Sequence, residues 1–181
     1  GSLSLAARLS ESLSDNPSDW KWCVLAPHSA LQSAMILVLA GSDGAGAYKA
    51  QSQERFRTWL EGKLEGTKYP DVRLAEFDRL YKWVKESDRA YGVPLKTTEQ
   101  QDRLVHLLGA RRDSLTHHEE VAWLMDIGEL KACVLAALDL IEQLLAHPRM
   151  LTSIALDDAI RSKLCAKLID RIRAGVRSQP G

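Results

Sequence analysis

The chain has 181 residues, 45% apolar and 27% charged, the length and composition of one soluble globular domain whose core needs no disulfide or metal. Lys and Arg together number 24, as do Asp and Glu, which excludes a global basic field and makes any nucleic-acid surface local. Cys23, Cys133 and Cys165 are odd in number, far apart and without a Cys-x-x-Cys pair, which fits free thiols in a reducing compartment.

Gly1-Ser2, with no initiator Met, reads as a remnant of expression cloning, and no signal-peptide pattern follows it. Residues 3–14 form a short amphipathic helix with Leu5, Ala6, Leu9 and Leu13 on one side. Asn16-Pro17 then offers an N-cap and a proline at the first helical position. The next helix carries Val24, Leu31, Met35 and Val38 on one stripe, and Pro27 predicts a kink or break near Leu25–Ala26. Its longest apolar run, Ala34–Ala40, is too short to span a bilayer, so the expected location is cytoplasmic, away from membranes. The glycines of residues 41–46 predict a flexible connection. They follow a helix and lack the Gly-Lys-Ser/Thr ending of a phosphate-binding loop.

Residues 50–64 predict a helix burying Phe56, Trp59, Leu60 and Leu64, and Gly66 to Pro70 punctuate the chain. A further helix, about 71–90, is expected to bury Leu74, Phe77, Leu80, Tyr81 and Val84, and Gly92-Val93-Pro94 closes it. Thr97 or Thr98, with Gln100 or Gln101 three residues on, predicts a capping box for a helix burying Leu104, Leu107, Leu108 and Leu115. Leu130, Val134, Ala137, Leu138, Ile141, Leu144 and Leu145 form the strongest core stripe, which Pro148 stops. A last helix, about 154–176, carries Ile160, Leu164, Leu168 and Ile172 at steps of four. No alternating strand pattern competes, so the fold class is all-α, an antiparallel helical bundle in a single domain spanning 1–181.

The residues with most chemistry are Arg111-Arg112-Asp113-Ser114-Leu115-Thr116-His117-His118, at the end of the helix that the capping box opens. Arginine offers a fixed cationic fork for a phosphate, and histidine moves protons near neutral pH. The competing structural reading is a solvated helix end whose histidines complement the macrodipole. Arg112 and His117, five apart, diverge by about 140° on an unbroken helix, so they share a site only if the helix ends first or two chains contribute. Asp113 and His117, four apart, face each other, so the carboxylate is suited to orient the imidazole. Arg111 and His118 offer a second register, seven apart on one face. Arg112 with His117 ranks first because Leu115 then points to the core, which leaves His118 as a neighbour or an RNA contact.

This segment resembles the signature of the HEPN superfamily, helical bundles whose motif is an arginine, a polar residue and a histidine a few residues on. The flanks agree with one bacterial branch of it: Trp20 to Gln32 as the first long helix, Phe77-Asp78-Arg79-Leu80-Tyr81 before the motif helix, and Trp123-Leu124-Met125-Asp126 after the histidine. The resemblance covers roughly residues 20–147, with a C-terminal basic helix at about 154–176 outside it. It implies a homodimer in which two motifs meet, and a metal-independent endoribonuclease. Arg112, Asp113 and His117 would be its catalytic residues, in a toxin–antitoxin, anti-phage or RNA-processing setting with an antitoxin or other protein among its partners. Asp113 stands where the family often has Asn, which puts a negative charge near the substrate phosphate. Two other readings therefore stay open: a non-catalytic HEPN-like module binding RNA, a nucleotide or a protein, and a helical scaffold whose Arg–His pair stabilises a dimer.

The remaining candidates are weaker. His117, His118, Glu119 and Glu120 gather four potential metal ligands, but adjacent side chains point apart, so no metal and no cofactor is expected. His28 reads as a hydrogen-bonded, partly buried residue, and His147 as a helix-end cation. His106 is eleven residues before His117, at nearly the same angle three turns away. The C-terminal segment holds Arg161, Lys163, Lys167, Arg171, Arg173 and Arg177 against Asp170. It reads either as an RNA-tracking edge, with Arg171, Arg173 and Arg177 as contacts beside Arg111 and His118, or as a solvated face.

Overall fold

The computed structural model describes residues 2–13, 17–41, 43–62, 69–116, 126–152 and 156–179, with side chains of 151–162 left aside. Its elements are α1 (Ser2–Ser10), a 3₁₀ turn (Pro17–Asp19), α2 (Trp20–Leu39), α3 (Ala50–Leu60), α4 (Phe77–Val84), α5 (Glu99–Thr116), α6 (Ile127–Leu145), α7 (Pro148–Thr152) and α8 (Leu156–Arg177). Among the described residues the fold is helical, with one isolated antiparallel bridge, Tyr48 to Leu74, outside the helices. The chain divides into two compact units: Gly1–Ala34 with Lys96–Gly181, and Met35–Leu95.

In the first unit, α6 is the core element. Leu130, Cys133, Val134, Ala137, Leu138, Ile141 and Leu144 are all buried, the stripe that the apolar spacing predicts. Asp126 caps its N-terminus by accepting from the Gly128 N–H at 2.7 Å. α5, α7 and α8 pack on α6, and α1 packs on α8. Lys131, early in α6, donates to the Gln179 carbonyl just past α8 at 2.6 Å. Asp139 and Glu142, further along α6, pair with Arg173, so α6 and α8 run antiparallel. The α1–α8 approach depends on Gly175, where a Cβ would lie 2.5 Å from the Ser10 carbonyl oxygen.

α8 departs from the sequence expectation. Its buried residues are Ile169, Ile172 and Val176, while Leu164 is exposed and Leu168 only half-buried. Steps of four advance about 40° around a helix each time, so a stripe of fours winds off the packed face, whereas steps of three and four stay on it. Ile160 lies outside the described side chains. On α5 the stripe is likewise rotated: Val105, Leu108 and Leu115 are buried, with Leu104 and Leu107 half-buried. The capping box forms as expected, with the Gln101 N–H donating to Thr98 Oγ1 at 3.2 Å and the Thr98 N–H to Gln101 Oε1 at 3.0 Å.

α2 passes from the first unit into the second without a break at Pro27, and Val24, Leu31, Met35 and Val38 are buried as predicted. Over its most apolar stretch the mean hydropathy is 1.5, so by length and composition this helix is able to cross a bilayer, although 56% of that stretch is buried within the fold. The seven-residue run from Ala34 understates it, because the polar His28, Ser29, Gln32 and Ser33 interrupt the sequence without lowering the average far. Burial pushes the Cys23 thiol up to about 12 and that of Cys133 up to about 11, as befits small core side chains.

In the second unit, the glycine-containing segment after α2 is a packed turn rather than a loose connection. Gly41 and Gly44 take positive φ, Asp43 accepts from the Ala45 N–H, and Ala45 and Ala47 are fully buried. Residues 69–76 are extended and not helical, which corrects the helix expected from about residue 71. The Lys49 N–H donates to the Arg73 carbonyl and the Ala75 N–H to the Ala47 carbonyl, both at 2.9 Å. Pro70 lies at the head of this segment, and Leu74, expected to be buried, is exposed. The helical pattern begins only at α4, where Leu80, Tyr81, Trp83 and Val84 are buried. α3 stops at Leu60, which is exposed, and Phe56 packs with Tyr48, Trp59 and Tyr69 in an aromatic cluster.

Candidate functional site

Arg111 and Arg112 lie in the last turns of α5, where the helix turns one side chain toward α6 and the next away from it. Arg111 Nε donates to Glu129 Oε1 at 2.7 Å, and both side chains are largely covered, so this pair ties α5 to the first turn of α6. Arg112 is 44% exposed and donates from Nη1 to Asp113 Oδ1 at 2.6 Å, its neighbour in sequence. Thr116, in the last described turn, donates back to the Arg112 carbonyl at 2.7 Å. Leu115 is buried, the orientation expected of it.

His117 and His118 lie outside the described residues, as do Glu119, Glu120 and Trp123. The described part of the motif is therefore a cation, a carboxylate and a threonine on one exposed turn. Arg112 and Asp113 are brought together, and Arg111 is held in a structural ion pair. An exposed Arg–Asp pair is worth only about 0–1 kcal/mol, so a phosphate with better geometry displaces the carboxylate at little cost.

The C-terminal basic residues divide by environment. Arg171 donates twice to Glu11 Oε1, at 3.0 and 2.8 Å, linking α8 to the residue after α1. Arg173 is 17% exposed and bridges Asp139 and Glu142, with Asp170 at 3.8 Å. Glu142 foremost, and Asp139, raise its pKa further above the ordinary arginine range. Arg177, Lys163 and Lys167 are exposed, and Arg161 lies outside the described side chains. Of the four arginines expected to contact RNA, three (Arg111, Arg171 and Arg173) thus already neutralise acids of their own unit.

His147 is buried, and its Nδ1 accepts from the Arg149 N–H at 3.1 Å, at the start of α7. His28 is buried as expected, and His106 is exposed on α5.

A second locus, in the Met35–Leu95 unit, was not apparent from sequence. A cavity of about 550 Å³ opens at the first turn of α3, lined by Lys49, Arg55, Arg73 and Arg79 with Asp71 as its acid. Lys49 is the N-cap residue, and its side chain makes no capping hydrogen bond to the helix. These cations come from four separate places over thirty residues, so no local charge run announces them. The only signal was a lysine where an N-cap acceptor normally stands.

Comparison with protein-family models, with curated proteins and with solved structures finds no match to this chain.

Proposed function

We propose that the protein is a HEPN-like, metal-independent endoribonuclease acting on single-stranded RNA as a cytoplasmic homodimer. His117 exchanges protons with the ribose 2′-hydroxyl and the leaving oxygen, and Arg112 neutralises the charge growing on the scissile phosphate. Asp113 orients the imidazole and stabilises its charged form. The observation that carries this reading is the contrast between the two arginines. Among the described residues Arg111 is committed to Glu129, whereas Arg112 is half-exposed and paired with the adjacent Asp113.

A second reading, a non-catalytic HEPN-like module binding RNA, a nucleotide or a protein, draws on the same pair, since Asp113 already occupies the Arg112 guanidinium. Alanine variants separate them. Arg112→Ala keeps its melting temperature and loses RNA cleavage by about 10²–10³-fold, the usual effect of removing one charge-stabilising donor. Arg111→Ala melts earlier because it strands Glu129. Wild-type protein that binds RNA and cuts none assigns the non-catalytic module, and cleavage that survives Arg112→Ala removes Arg112 from the mechanism.

A further inference from the structure

We infer that the cavity at the start of α3 is a binding site for a multiply charged phosphate group, as found in pyrophosphate or a nucleotide. The inference stands on the cavity and its cations, and it is independent of the endoribonuclease reading.

The charge balance favours an anion of more than one unit. Lys49 is bound to Glu76, whose carboxyl is held below its usual range chiefly by that hydrogen bond. Arg73 has Asp71 at 4.0 Å, but both side chains are at least three-quarters exposed, where such a pair contributes little. Arg79 lies over the Trp83 ring, its Cζ 5.4 Å from the ring centre, and also helps to hold the Glu76 carboxyl low. Arg55 makes no ion pair among the described residues. Lys49, Arg55, Arg73 and Arg79 thus face only Glu76 and Asp71, which leaves an excess of two positive charges at the cavity.

The backbone adds to the same field. The exposed Ala50 and Gln51 and the buried Ser52 of the first turn of α3 line the cavity, the Lys49 side chain does not cap that turn, and no acid stands in it. The extended segment is bonded to that same turn: Ser52 Oγ accepts from the Arg73 N–H at 3.0 Å, and the Lys49 N–H donates to the Arg73 carbonyl. Main-chain hydrogen bonding thus holds Arg73 beside Lys49 at the cavity.

Guanidinium forks match phosphate oxygens bidentately, and a cavity of about 550 Å³ exceeds what a single carboxylate fills. It falls in the ordinary range for small-molecule sites, about 300–1,000 Å³.

The test is calorimetry on the full chain with pyrophosphate, ADP, adenosine and citrate. Pyrophosphate and ADP bind saturably, and adenosine does not. Arg55→Gln, an exposed residue whose loss leaves the melting temperature unchanged, weakens both by about tenfold, the loss of one charge-assisted contact, and Arg55→Glu abolishes binding. ADP binding much tighter than pyrophosphate assigns a nucleotide, and equal affinities assign the phosphate group alone. Adenosine binding as well as ADP, citrate binding as well as pyrophosphate, or full affinity in Arg55→Glu each overturns the proposal.

Discussion

Arg111 and Arg112 are neighbours in sequence with opposite roles, and helical periodicity accounts for the difference. A step of about 100° turns Arg111 toward Glu129 on α6 and Arg112 toward solvent and Asp113. The residue types were legible in sequence, and so was the burial of Leu115, which orients the turn. The Arg111–Glu129 pair was not, because it depends on where α6 begins, 18 residues on. Asp113 has two opposing effects on the proposed chemistry: it competes with phosphate for Arg112 and supports a charged imidazole. Asp113→Asn is therefore expected to lower KM for RNA several-fold while lowering kcat by about tenfold or more, a loss in the range of acid–base contributions. Steady-state kinetics on a short RNA checks this, and an unchanged kcat shows that Asp113 does not act through the histidine.

At the scale of elements, α6 and the α5 cap were readable because a dense stripe and a Thr-x-x-Gln box are local signals. α8 and the segment 69–76 were not, since their state is set by partners distant in sequence. α8 takes its buried face from α1, and residues 73–75 pair with 47–49 rather than coil. Gly175 shows how tightly α1 and α8 are joined. In an exposed helix, Gly→Ala stabilises by about 1 kcal/mol. Here the new Cβ would lie 2.5 Å from the Ser10 carbonyl oxygen and 2.7 Å from its carbon, so backbone must move. Gly175→Ala is expected to destabilise by about 1–3 kcal/mol, as overpacking does. Thermal unfolding of the variant measures it, and a raised melting temperature would show that the helices separate freely there.

For the whole molecule, the helical class was legible throughout because apolar residues recur at three and four along most of the chain. Equal numbers of acidic and basic residues concealed two local concentrations of positive charge, one spent on Asp139, Glu142 and Glu11, the other open at the start of α3. The central claim is that an arginine and a histidine suffice to cut RNA, with the 2′-hydroxyl as nucleophile. The most direct measurement is incubation of the purified protein with single-stranded RNA in excess EDTA, followed by analysis of the product ends. The account predicts cleavage that leaves 2′,3′-cyclic phosphates and stops when the scissile ribose is 2′-deoxy. Cleavage abolished by EDTA and restored by a divalent metal, or cleavage that proceeds at the 2′-deoxy position, would contradict it.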